Sequence, residues 1–244
     1  MQTRRIFVLG IPFDDLDLDQ AAGLILHAIR TGTGISVMTP NPEIVQMARR
    51  DAELAAAIRE ADLVVPDSVG IVVASRLMGN ALRRRVPGIE LVESVLELGR
   101  AVGLRVYLLG AAEGVADEAA ERLRSRYPGI VVTGTHHGYF SPEDEERIAS
   151  HILGSRAQLV LVGLGCPKQE KWIARWKERL HGISLITVGG SLDVFSGRTR
   201  RAPGVFRRLG LEWLYRLLNQ PSRWRRQLEL PRFVVAVLKE RMKG

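Results

Sequence analysis

Short apolar runs along this chain alternate with longer segments whose apolar positions recur every three to four residues. The runs predict strands over 4–13 (RRIFVLGIPF), 35–40, 62–67, 105–111, 130–140, 158–165 and 183–190. Between them, the 3.6-residue period predicts amphipathic helices over 17–32, 41–61, 70–79, 88–103, 113–128, 141–156 and 167–182. Strand and helix in alternation predict an α/β fold with a mostly parallel sheet between helices, a Rossmann-like α/β/α arrangement. The strand runs are apolar throughout rather than alternating, as expected when helices cover both faces of the sheet.

The pattern changes near residue 202. Two helical segments follow with no strand between them, and Pro221 breaks the first before the second begins. In the first, Phe206, Leu209, Trp213, Leu214, Leu217 and Leu218 fall on one stripe. This predicts a body over 1–201 and a helical appendage over 202–244. Charge follows the same division. Residues 198–244 carry 13 Lys and Arg against 3 Asp and Glu, whereas the rest of the chain carries 22 against 24. The formal net charge of +8 therefore belongs to the tail, which calls for an anionic partner there. Nucleic acid, a membrane surface and a diphosphate all meet that description.

The single cysteine, Cys166, excludes an intrachain disulfide framework and suits a reducing cytoplasm. No window of 18 uninterrupted apolar residues predicts a transmembrane helix, so membrane contact would be peripheral.

In open α/β sheets, ligands sit beyond the carboxyl ends of strands. The residues there are unusually polar: Thr39, Asn41 and Glu43; Asp67 and Ser68; His136, His137 and Tyr139; Lys168, Gln169 and Glu170; Ser191 and Asp193. Several lie in glycine-rich turns into helices, where free N–H groups and the helix dipole favour phosphate. Each also has a structural reading. Asp67 with Ser68 is placed to cap the next helix, and Thr39 with Asn41 to form a turn and cap before Pro42. The D-x-D spacing in 14–19 (DDLDLD) suits a divalent cation, but acids are expected at a helix start in any case. Arg83, Arg84 and Arg85 form a cluster whose forks match phosphate oxygens, although taken alone it reads first as a solvated basic loop.

Taken together, TPNPEIVQMARRDAEL, ADLVVPDSVGIVVASRLMGNALRRRVPGIEL, VGLGCPKQEKWI and VGGSLDVFSGRTRRAPGVFRRLGLEWLYRLLNQPSRWRR resemble the WecG/TagA/CpsF glycosyltransferases, glycosyltransferase family 26. The resemblance runs from about residue 6 to residue 228. It implies an inverting transfer of a sugar, N-acetylmannosamine or a related hexose, from a UDP-sugar to a polyprenyl-diphosphate-linked amino sugar. It also implies Asp67 as catalytic base, with Thr39, Asn41, Arg85 and Gln169 in the active site. Tyr139 and Asp193 would belong to the nucleotide pocket. Arg216, Arg223 and Arg226 would close over the lipid diphosphate. No obligatory metal or other cofactor is implied. The expected place of action is the cytoplasmic face of the plasma membrane, with the basic tail on its anionic surface.

Two other readings remain open at this point. The same family also implies UDP-glucose or UDP-uronate donors, and a nucleic-acid-binding protein would use the same tail. The tail's apolar stripe suits packing on the body, on lipid or on another subunit in a homo-oligomer. Deletion of 203–244 is expected to leave a folded body without activity on a lipid substrate.

Overall fold

The computed structural model describes residues 3–208, 210, 212–219 and 228–242. Strands β1 (Arg5–Val8) and β2 (Ile11–Asp14) open the chain, followed by helix α1 (Leu18–Thr31). Then come β3 (Ser36–Met38), α2 (Pro42–Ala48), α3 (Ala52–Arg59), β4 (Leu63–Val64), α4 (Val69–Leu77) and α5 (Gly88–Gly99). The second half runs β5 (Arg105–Gly110), α6 (Val115–Arg126), β6 (Val131–His136), α7 (Glu145–Gly154), β7 (Leu159–Gly163), α8 (Lys168–Trp176), β8 (Ser184–Thr187) and α9 (Ser191–Phe195). Helices α10 (Gly204–Arg208), α11 (Glu212–Asn219) and α12 (Glu229–Arg241) form the appendage.

The main sheet has six parallel strands in the order β4-β3-β8-β7-β5-β6. Its central strand β7 is buried along its whole length, as its unbroken LVLVG run requires. One face of the sheet is covered by α2, α3, α4, α7, α8 and α12, through residues such as Val45, Leu54, Ile71, Ile152 and Ile173. The other face is covered by α1, α5, α6 and α9, through Ile25, Val92, Leu123 and Leu192. This is the α/β/α fold that the alternation predicts.

Two stretches differ from the pattern. The apolar run 4–13 is not one strand of the parallel sheet but the antiparallel hairpin β1–β2. Leu9 and Gly10 both take positive φ, 50° and 81°, and make the two-residue turn. The hairpin lies beside the edge strand β4: buried Asp14 accepts the Val64 N–H through Oδ2 at 2.8 Å. It thereby supplies partners to an otherwise open edge. The helical stretch 41–61 is also divided. Asp51 has extended backbone and accepts the Leu54 N–H at 3.0 Å, so it ends α2 and caps α3.

Three of the acids in 14–19 have protein partners. Asp14 accepts from Thr3, from Arg5 Nε at 3.1 Å and from Val64. Asp15 takes the Arg83 backbone N–H at 2.9 Å and its Nε at 3.2 Å. Asp17 forms a reciprocal capping box with Gln20 at the start of α1. The appendage, in turn, is not separate from the core. On α12, Phe233 and Val237 are buried in the same cluster as residues of α2 and α4. Removing 203–244 would therefore uncover body residues on α2 and α4.

Candidate active site

The sheet's topology opens a crevice. After β3 the chain passes to the face of α2, and after the adjacent β8 it passes to the face of α9. Adjacent strands that lead to opposite faces leave a gap at their carboxyl ends. A cavity of about 380 Å³ lies there. Its wall gathers Thr39 and Asn41 after β3, Asp67 after β4, Arg85 before α5, Gln169 after β7, and the Gly189–Gly190 turn after β8. Glu212, Trp213 and Leu230 of the appendage complete it. The N-termini of α4, α5 and α8 all reach this wall, and their dipoles favour negative charge in the cavity.

Asp67 does not cap the helix that follows it. Ser68 is the N-cap of α4 and makes no side-chain cap bond. The Asp67 carboxylate instead reaches α5, accepting the Gly88 N–H through Oδ1 at 2.7 Å. That contact depends on Gly88 having no side chain. A Cβ there would stand 3.2 Å from Thr39 Oγ1 and 3.3 Å from Thr39 Cβ. Thr39 cannot easily retreat, because it ties β3 to β8: its Oγ1 donates to the Thr187 carbonyl at 3.1 Å, and its N–H donates to Thr187 Oγ1 at 3.1 Å.

Asn41 is both a cavity residue and the N-cap of α2, accepting from Ile44 N–H at 3.1 Å, with Pro42 in the first turn. The cap reading of the sequence therefore holds without removing the residue from the site. Arg85 is half-buried in the wall and pairs with Glu212 of α11, Nη1 to Oε1 at 3.1 Å. Its loop is positioned from behind by Asp15, which holds Arg83.

Gln169 is 3% exposed and accepts the Gly189 N–H through Oε1 at 3.1 Å, fastening the turn after β8 to the start of α8. Beside it, Glu170 is 2% exposed, and burial pushes its carboxyl above the usual carboxylate range.

Tyr139 and Asp193 are not brought into this wall. Tyr139 is 79% exposed in the loop after β6, the edge strand three positions from β8. At the usual strand spacing that is about 14 Å away. Asp193 lies further along α9 than the lining residue Ser191, with its charge felt by Arg198. The rings of His136 and His137 meet at a 45° tilt with centroids 4.7 Å apart, at that same distant edge. For Arg216, only the backbone within α11 is described, and Arg223 and Arg226 lie outside the described residues.

Sequence reasoning did not foresee Glu212, Trp213 and Leu230 in the wall. A helical stripe marks their apolar face, but no short-range pattern marks which body residues they meet. No helix among the described residues is long and apolar enough to cross a membrane.

The fold and the crevice together define a Rossmann-like α/β protein with a candidate ligand site at its topological switch point. Residues 6–244 match the model of the glycosyl transferase WecG/TagA/CpsF family. The chain is 40% identical over 206 residues to the N-acetylglucosaminyldiphosphoundecaprenol N-acetyl-beta-D-mannosaminyltransferase of Bacillus spizizenii strain W23, covering 84% of this chain and 79% of that one. It is 35% identical over 243 residues to the protein of the same name from Staphylococcus aureus strain MW2, covering 99% and 95%. The chain belongs to the WecG/TagA/CpsF family of glycosyl transferases.

Proposed function

We propose that the protein transfers N-acetylmannosamine from UDP to N-acetylglucosaminyl-diphospho-undecaprenol, with inversion, and that Asp67 is the general base. The observation that carries this reading is the meeting of Asp67, Arg85, Asn41, Thr39 and Gln169 in one cavity. In the proposed reaction the acceptor hydroxyl attacks the anomeric carbon while Asp67 takes its proton. The bond from that carbon to the UDP oxygen breaks on the opposite face, which inverts the configuration.

Negative charge grows on the departing diphosphate. Arg85 and the N-termini of α4 and α5 are the groups in this wall suited to offset it. The arginines of the appendage would add to them from the side of the lipid acceptor. In this reading no obligatory metal takes part. The basic tail faces the anionic surface that carries the acceptor, and the protein works as a peripheral protein on the cytoplasmic side of the membrane.

The test is turnover. Purified protein is given a short-chain polyprenyl-diphospho-N-acetylglucosamine and a panel of UDP-sugars, with and without chelator, and UDP release is followed. Release confined to UDP-N-acetylmannosamine and indifferent to chelator supports the reading. Release with UDP-glucose or a UDP-uronate alone moves the donor, and release that stops on chelation overturns the metal-free reaction.

A further inference from the structure

Glu170 combines burial with an unfilled bonding group. Its Oε1 accepts from Gln169 Nε2 at 2.8 Å, and its Oε2 has no hydrogen-bond partner among the described residues. The buried neighbours that follow on α8, Trp172 and Ile173, are the apolar residues expected there. A buried carboxyl with an orphan oxygen is costly for a fold, and an apolar side chain of similar size costs less. What the carboxyl provides is an acceptor at one particular place.

That place matters because of the residue beside it. A glutamine amide has two near-identical ends, and its orientation is set by its partners. Here one Nε2 hydrogen goes to Glu170, which leaves Oε1 to accept from Gly189 at 3.1 Å. Were the amide reversed, Nε2 would meet the Gly189 N–H donor to donor, and Oε1 would meet the Glu170 oxygen. Gly189 sits in the left-handed region at φ 50° and lines the cavity with Gly190 and Ser191. A continuous path of contacts therefore runs from Glu170 through Gln169 to the cavity wall.

We propose that Glu170 is a positioning residue: its carboxyl locks the Gln169 amide so that Oε1 holds the Gly189–Gly190 turn and the second Nε2 hydrogen is left for a substrate oxygen. The last part rests on the reading of this cavity as the substrate site.

The full chain is compared with Glu170→Gln, which keeps an acceptor oxygen, and with Glu170→Met, which does not. Two quantities are read: turnover with UDP-N-acetylmannosamine, and hydrogen exchange of the segment 186–192 by mass spectrometry. The expected result is at least a tenfold loss of kcat in Glu170→Met with faster exchange in that segment. Glu170→Gln should stay within about threefold of the parent in both. Wild-type exchange in Glu170→Met, or a Glu170→Gln as impaired as Glu170→Met, overturns the proposal. Glu170→Ala, which leaves room for a water, is the second variant. If neither Glu170→Met nor Glu170→Ala folds, the residue is structural and the proposal fails. A parent with no turnover but the expected exchange pattern would sink the substrate reading and leave the positioning role standing.

Discussion

Arg85 of the body and Glu212 of the appendage, 127 positions apart in the chain, meet at 3.1 Å within the wall of one cavity. Each side chain is about one-fifth exposed, so the pair is neither a screened surface contact nor a sealed interior one. In the proposed reaction the diphosphate also seeks Arg85, and Glu212 then competes with it. Glu212→Gln should tighten UDP binding by roughly fivefold, the equivalent of about 1 kcal/mol for a pair of this exposure. Titration calorimetry with UDP measures it, and weaker binding in the variant would show that Glu212 holds the arginine for the ligand rather than competing for it.

Asp67→Asn separates chemistry from architecture. The asparagine Oδ1 still accepts the Gly88 N–H, so the melting temperature should move little. Without a carboxylate to receive the proton, kcat should fall by about 100-fold to 10,000-fold. Asp67→Ala should lose the same activity and, in addition, the bond to α5.

Gly88→Ala tests how closely α5 must approach. The new methyl meets a threonine pinned by its bonds to Thr187, so α5 has to give by a few tenths of an ångström away from Thr39, which disturbs the bond from Gly88 to Asp67. A loss of about 1–3 kcal/mol in stability is expected, together with a drop in kcat. Chemical denaturation and the turnover assay read the two effects separately.

The Glu170 carboxyl gives a pH signature in stability. Burial raises its pKa in the folded protein, so above the unfolded value the unfolded chain has released a proton that the folded chain keeps. Its contribution to stability is therefore full below the unfolded pKa and falls as pH rises. Glu170→Gln carries no such proton. Its melting temperature relative to the parent should be higher at pH 7 to 8, and the gain should shrink toward pH 4.5. Differential scanning calorimetry at several pH values checks this, and a gain that grows on acidification contradicts it.

Phe233 measures how far the appendage belongs to the core. It is 4% exposed between α12 and the body. Phe233→Ala should cost about 3–5 kcal/mol in denaturant unfolding, a large share of the stability of an ordinary domain. A loss below about 1 kcal/mol would mean that α12 is a loosely held addition.

The layers of the fold were legible because burial on both faces forces apolar strands, and one-sided burial forces the helical period. The same logic located Asp67, Thr39 and Asn41 in the short connections after strands, and Gln169 at the start of the helix after β7. Their partners were not legible. Asp67 reads as a cap for α4 by proximity, yet it binds α5 at Gly88, because the chain returns there through the Arg83–Arg85 loop. The run 4–13 reads as one strand by hydropathy, and only the positive φ at Leu9 and Gly10 folds it back. Tyr139 follows a strand like the others, but strand order, which no local pattern encodes, sets β6 at the far edge.

Helix α12 comes after all eight strands, and its Phe233 and Val237 fill space between α2 and α4. During synthesis the sheet and most of its helices leave the ribosome before the residues that close this layer exist. The nascent body must wait with part of its interior uncovered, so a stalled or clipped product is a substrate for chaperones and proteases rather than a partly working enzyme.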